Sequence, residues 1–150
     1  MKEIERQEFA REVCEVYRNL REALSRLEKL TTDNPIPPEN IVRVKRILPY
    51  FRDRLASHFQ IAEKHGFFED ILELRPDMDA TINNIFETHH KMIDEIGAIC
   101  AYADKVGVES AFNANELRRR FRDFDLEFQQ LEQRKVDLIQ EAYNTDLGVM

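Results

Sequence analysis

Four histidines stand out as the residues best suited to chemistry: His58, His65, His89 and His90. A neutral imidazole is a good ligand for iron, zinc or copper. Helix bundles build metal centres from side chains that project inward from facing helices, in pairs one turn apart. His58 falls on the inward stripe of a long helical segment, and His89 or His90 falls on the stripe of the next. Two imidazoles are too few for a tight centre, so carboxylates must join them. Glu63 lies one residue off the stripe of His58, and Asp94 lies four residues after His90. The candidate metal set is therefore His58, His90 and Glu63, with Asp94 as a further carboxylate. His65 reads as a helix-end or surface residue. Lys135 is the other anomaly. It occupies an inward position in the last helical segment, where burying an unpaired charge costs several kcal/mol. It must either run its stem out to solvent or find an acceptor inside, as a structural polar residue of the core.

The elements that position these residues are read from hydrophobic spacing. Phe9, Val13, Val16, Leu20, Leu24, Leu27 and Leu30 recur every three or four residues and predict a helix over about 4–30. Pro35 ends that run. Pro37 and Pro38 suit the first turn of a second helix, over about 39–72, with the stripe Ile41, Val44, Leu48, Phe51, Leu55, His58, Ala62. Pro49 inside this stripe predicts a kink or a late start, and Gly66 weakens its far end. Asp77 can cap a third helix over about 78–105, carrying Ile82, Ile85, Phe86, Ile93, Ile96 and Cys100, with Gly107 as its stop. A fourth, over about 114–143, starts near Asn113 and carries Leu117, Phe121, Phe124, Phe128, Leu131, Lys135, Leu138 and Ala142. The tail Asn144 to Met150 is expected to be irregular. Four amphipathic helices joined by short connections predict one all-α domain over 1–150, an up-down-up-down four-helix bundle.

Composition narrows the function. A net charge of −7 argues against a general nucleic-acid binder. The local basic run Arg118, Arg119, Arg120, Arg122 is flanked by acids and reads as a solvated helix end. No apolar run approaches the length of a membrane span. The charged N-terminal stretch lacks a signal-peptide core, and Cys14 and Cys100 form no close pair. Both features lead us to expect a cytoplasmic protein with reduced thiols. No Ser-His-Asp or Cys-His constellation and no phosphate-cradling glycine loop can be assembled, so an enzyme is not expected.

Three segments give the chain a resemblance to the hemerythrin-like, or HHE cation-binding, family. SHFQIAEKHGFF (57–68) resembles the second-helix segment of that family. THHKMIDEI (88–96) resembles the third, with His90 followed by Ile93. LEQRKVDLIQEAYNTDLG (131–148) resembles the fourth, and its Leu138 to Tyr143 ending is the most specific match. The resemblance implies a hemerythrin-like bundle and, in intact members, a di-iron centre. This sequence departs from the ligand pattern. No histidine precedes His58. Ala62 stands where the second helix would supply a glutamate, with Glu63 displaced by about 100° of helical rotation. Leu131 and Lys135 stand where the fourth helix would supply a histidine and a glutamate.

Taken with the residues, the resemblance predicts a bundle without its di-iron site and with no cofactor. Such a chain would act as a non-catalytic binding or regulatory module. Its partner would be another protein or a second copy, met through outer helix faces or through Phe67, Phe68, Ile71 and Leu72. The alternative is an iron- or zinc-binding, oxygen- or redox-responsive protein with a reduced site on His58 and His90. In the first reading, the Lys135 ammonium takes the place of the metal and bonds inward to an imidazole or a carboxylate.

Overall fold

The structure is a computed structural model, and it describes residues 3–33, 36–64, 66–105 and 111–143. These residues are almost entirely helical, with four long helices. Helix α1 spans Glu3–Leu30, α2 Pro38–Lys64, the short α3 Phe67–Leu74, α4 Asp79–Lys105 and α5 Ala111–Tyr143. A single 3-10 turn, Pro76–Met78, leads into α4. Among the described residues there is no strand. The predicted stops at Pro35 and Gly107, the tail from Asn144, and His65 lie outside the described residues.

Each long helix packs on two others: α1 on α2 and α5, α4 on α2 and α5. The stripes read from the sequence form the interior. All of Ile41, Val44, Leu48, Phe51, Leu55, His58 and Ala62 are buried on α2, as are Leu117, Phe121, Phe124, Phe128, Leu131, Lys135 and Leu138 on α5. Edge-on aromatic contacts join the helices, with Phe51 6.0 Å from Phe124 and Tyr17 5.3 Å from Phe128 between ring centroids.

Several boundaries differ from the prediction. The second helix does not run to residue 72. Gly66 adopts φ 79°, a left-handed conformation that glycine takes without steric cost. The chain turns there, and α3 starts anew. This turn folds Phe68 and Ile71 into the core, at 4% and 0% exposure, and half-buries Leu72. Three of the four residues considered as a docking patch, Phe68, Ile71 and Leu72, thus pack inward in whole or in part, and the Phe67 side chain lies outside the described residues. Pro49 causes no late start: α2 continues through it, with Pro49 itself on the exposed side, where solvent can take up the carbonyl it leaves without an amide. Asp77 does not cap α4. It sits in the 3-10 turn and accepts two hydrogen bonds from Arg75, at 2.8 and 2.9 Å.

The ends are tied by polar contacts. Thr31 Oγ1 donates to the Glu28 carbonyl at 2.9 Å, and Asn40 Nδ2 donates to the Leu30 carbonyl at 3.2 Å, closing the α1–α2 corner. The arginine run of α5 is engaged on its own helix and at the C-terminal end of α1. Arg119 and Arg120 bind Glu116, Arg122 binds Glu28, and Arg118 donates to the Thr32 carbonyl. No helix is long and apolar enough to cross a membrane among the described residues.

A candidate site in the polar core

One stretch of the bundle interior is polar. Helix α2 contributes His58 and Glu63, α4 contributes His89, and α5 contributes Glu132 and Lys135. His58, His89, Glu132 and Lys135 are all buried, none more than 5% exposed. Each arrives by helical spacing. His58 continues the α2 stripe one turn after Leu55, and His89 follows Ile85 by four residues on α4. Lys135 continues the α5 stripe after Leu131, and Glu132 lies three residues before it, on the adjoining row.

Glu132 is the hub. Its Oε1 accepts a hydrogen bond from Lys135 Nζ at 3.1 Å and faces His58 Nε2 at 3.3 Å. An ionised carboxylate only accepts, so the hydrogen of the second contact is on His58 Nε2. Burial acts to raise the Glu132 carboxyl, but the Lys135 ammonium and the His58 hydrogen bond together outweigh it and hold the group below its ordinary value. Burial pulls the Lys135 ammonium down, and the Glu132 charge opposes that pull without cancelling it. The ammonium also lies over the Phe59 ring, 4.9 Å from its centroid, a favourable cation–π placement in a desolvated site. Lys135 therefore does not extend to solvent. It is paired inside.

His89 forms a second pair. Its Nδ1 lies 2.9 Å from Glu63 Oε1, and its ring stacks on Phe59 with centroids 4.1 Å apart and planes 8° from parallel. Burial, reinforced by the positive charge of Lys135 and by His58 and His90, pushes the His89 imidazolium down to about 2. The contact with Glu63 is thus a hydrogen bond from a neutral imidazole, Nδ1–H donating, rather than an ion pair. Nε2 is then left with its lone pair, buried and without a hydrogen-bond partner among the described residues.

The metal set proposed from the sequence is not assembled. His90 is exposed on the outer face of α4, and Asp94 is exposed as well. The α4 stripe runs through Ile82, Ile85, His89, Met92 and Ile96, so the helix turns His89 inward and His90 about 100° away. Glu63 does reach the core, through His89. Among the described residues, no three His, Cys, Asp or Glu side chains are grouped so as to hold a metal ion. Sequence reasoning missed Glu132. Leu131 occupies the stripe beside it and drew the reading away, yet a Glu three residues before an inward Lys was the available signal.

Outside this cluster, Glu95 on α4 and Glu127 on α5 share a hydrogen bond. Burial, with the Glu127 carboxyl beside it, raises Glu95 to about 7, against the partial relief of Lys91 at 3.4 Å. Both cysteines are free; Cys14 is exposed, and burial raises the Cys100 thiol. No family model matches the chain, and neither a curated protein nor a solved structure matches it.

Proposed function

We propose that this chain is a hemerythrin-like, up-down-up-down bundle whose core cation is the Lys135 ammonium rather than a metal. In this reading it serves as a non-catalytic binding or regulatory module in the cytoplasm. The observation that carries the reading is Glu132 Oε1, which is shared by Lys135 Nζ and His58 Nε2. The Oε1 of this carboxylate is engaged inside the protein by an ammonium, and His58 has turned its Nε2 to the same atom. The pairing of helices supports the topology. Arg21 meets Asp125 while Glu28 meets Arg122, and Glu63 meets His89. Along α1 and α5, rising numbers on one helix meet falling numbers on the other, as antiparallel neighbours do.

Among the described residues, the buried groups include no activated nucleophile, and the depressed amine of Lys135 is held against the Glu132 carboxylate beside the Phe59 ring. That arrangement suits a scaffold. The partner is another protein or a second copy of the chain, met on the outer helix faces, since Phe68 and Ile71 of α3 are spent on the core. Metal content tests the reading. Protein expressed with added iron and zinc is expected to be colourless and folded, with metal far below one equivalent by mass spectrometry. Near-stoichiometric iron with oxo-bridge-type absorption would overturn it in favour of an oxygen- or redox-responsive metal protein.

A further inference from the structure

A cavity of about 150 Å³ opens at the seam between α1 and α2, and the buried ring of His58 forms part of its lining. The cavity therefore adjoins the polar core at His58. Its apolar wall comes from Val13 and Val16 on α1 and Ile61 on α2. Val13 and Val16 are half-buried, and Ile61 is 48% exposed. A large side chain left in the open beside two valines is an unfilled apolar contact. The polar part of the lining is Arg54 and Ser57 on α2, with Glu12 on α1. Arg54 is steadied from outside the cavity: its guanidinium lies 5.4 Å from the centroid of the Tyr50 ring.

This is the pattern of a small-molecule site, apolar walls with a few polar groups that fix orientation. An engineered cavity of about 150 Å³ accepts a benzene-sized guest, which sets the size. Arg54 and Ser57 are donor-bearing side chains of the lining, and a guanidinium and a hydroxyl suit a carboxylate, which sets the charge. Glu12 across the opening disfavours a second negative group. We propose that the α1–α2 cavity binds a small monocarboxylate with a short apolar or phenyl body, the carboxylate on Arg54 and Ser57 and the body against Val13, Val16 and Ile61. The inference goes beyond the module reading and does not depend on it, since the cavity lies outside the Glu132–Lys135 pair. The two meet only at His58.

The test is calorimetric titration of the full chain with hexanoate and benzoate, against hexanamide and benzamide as neutral analogues of the same shape. The acids are expected to saturate at millimolar concentration or below, and the amides to bind about tenfold more weakly. Arg54→Gln should weaken the acids by about tenfold, and Glu12→Gln should tighten them by about threefold. Ile61→Trp should abolish binding by filling the cavity, and acid binding should shift the His58 ring signals in the NMR spectrum while those of exposed His90 stay fixed. No saturation by about 10 mM would overturn the proposal. So would amides that bind as tightly as the acids, or acid binding unchanged by both Arg54→Gln and Ile61→Trp.

Discussion

The interior of the bundle has two halves built by different rules. In one, Leu24, Leu27, Leu48, Phe51, Phe121 and Phe124 are at most 2% exposed and carry no polar side-chain atom. In the other, Phe59 and Phe128 pack among His58, His89, Glu132 and Lys135, all at most 5% exposed. Burial alone stabilises the first half, by about 25 cal/mol for each Å² of apolar surface removed from water. The second half carries a desolvation cost for every charge, which only its internal pairing offsets. The same helices and the same periodicity run through both. Stability in the apolar half is therefore insensitive to pH and tolerant of gradual change. In the polar half it is conditional: each group is acceptable only while its partner keeps its charge.

Substitutions can break this contrast at either end. Phe124→Ala removes a fully buried ring that meets Phe51, and should destabilise by about 3–5 kcal/mol in chemical denaturation. The loss should be the same at pH 5 and pH 8, because no charge is involved. Lys135→Met leaves Glu132 buried without its ammonium, and should cost about 3–5 kcal/mol near neutrality. A cost inside the ±0.5 kcal/mol typical of surface positions would mean that the pairing carries no energy. Unlike the loss in the apolar half, this one should shrink in acid, where the unpaired carboxyl can take a proton.

Acidification sharpens the comparison without any substitution. His89 resists protonation in the folded state down to about 2, whereas an unfolded histidine takes a proton below about 6.5. The unfolded chain then binds more protons, so stability falls with pH by up to about 1.4 kcal/mol per unit below that value. Glu132 adds to the loss lower down. Its folded carboxyl is depressed, so its contribution is present above the ordinary carboxyl range and disappears as pH falls through the folded value. His89→Phe should flatten the slope between pH 6.5 and 5, read from urea midpoints across pH. An unchanged slope would place the acid sensitivity elsewhere. The smallest effect is expected at the surface. Arg21 and Asp125 bridge α1 and α5 at 3.3 Å with Arg21 41% exposed, and Arg21→Ala should cost at most about 1 kcal/mol, less in high salt.

The apolar half was readable in the sequence because leucines and phenylalanines at three- and four-residue spacing have only one place to go. The polar half was readable in part. Lys135 stood out on its stripe, and His58 did too. The choice between His89 and His90 was not decided by spacing, since both neighbours border the α4 stripe and Met92 and Ile99, buried in the structure, were needed to fix the phase. Glu132 was harder to see for a related reason: a glutamate beside an inward leucine is ordinarily solvated, and here the ammonium three residues on and the His58 ring hold it inside. The break at Gly66 illustrates a third limit. The apolar run after it continued the helical pattern, and the left-handed turn that redirects Phe68 and Ile71 leaves no periodic trace.

A double-mutant cycle over Lys135→Met and Glu132→Leu tests the central claim most directly, with unfolding free energy measured near neutral pH for all four proteins. If the Lys135 ammonium is the core cation and Glu132 its counter-ion, each single variant is strongly destabilised. The double variant then recovers most of the loss and can exceed the parent by about 1–4 kcal/mol, as apolar replacements of buried ion pairs do. Additive losses, with the double variant as unstable as the sum of the singles, would contradict the account and mean that the two residues are not each other's partners.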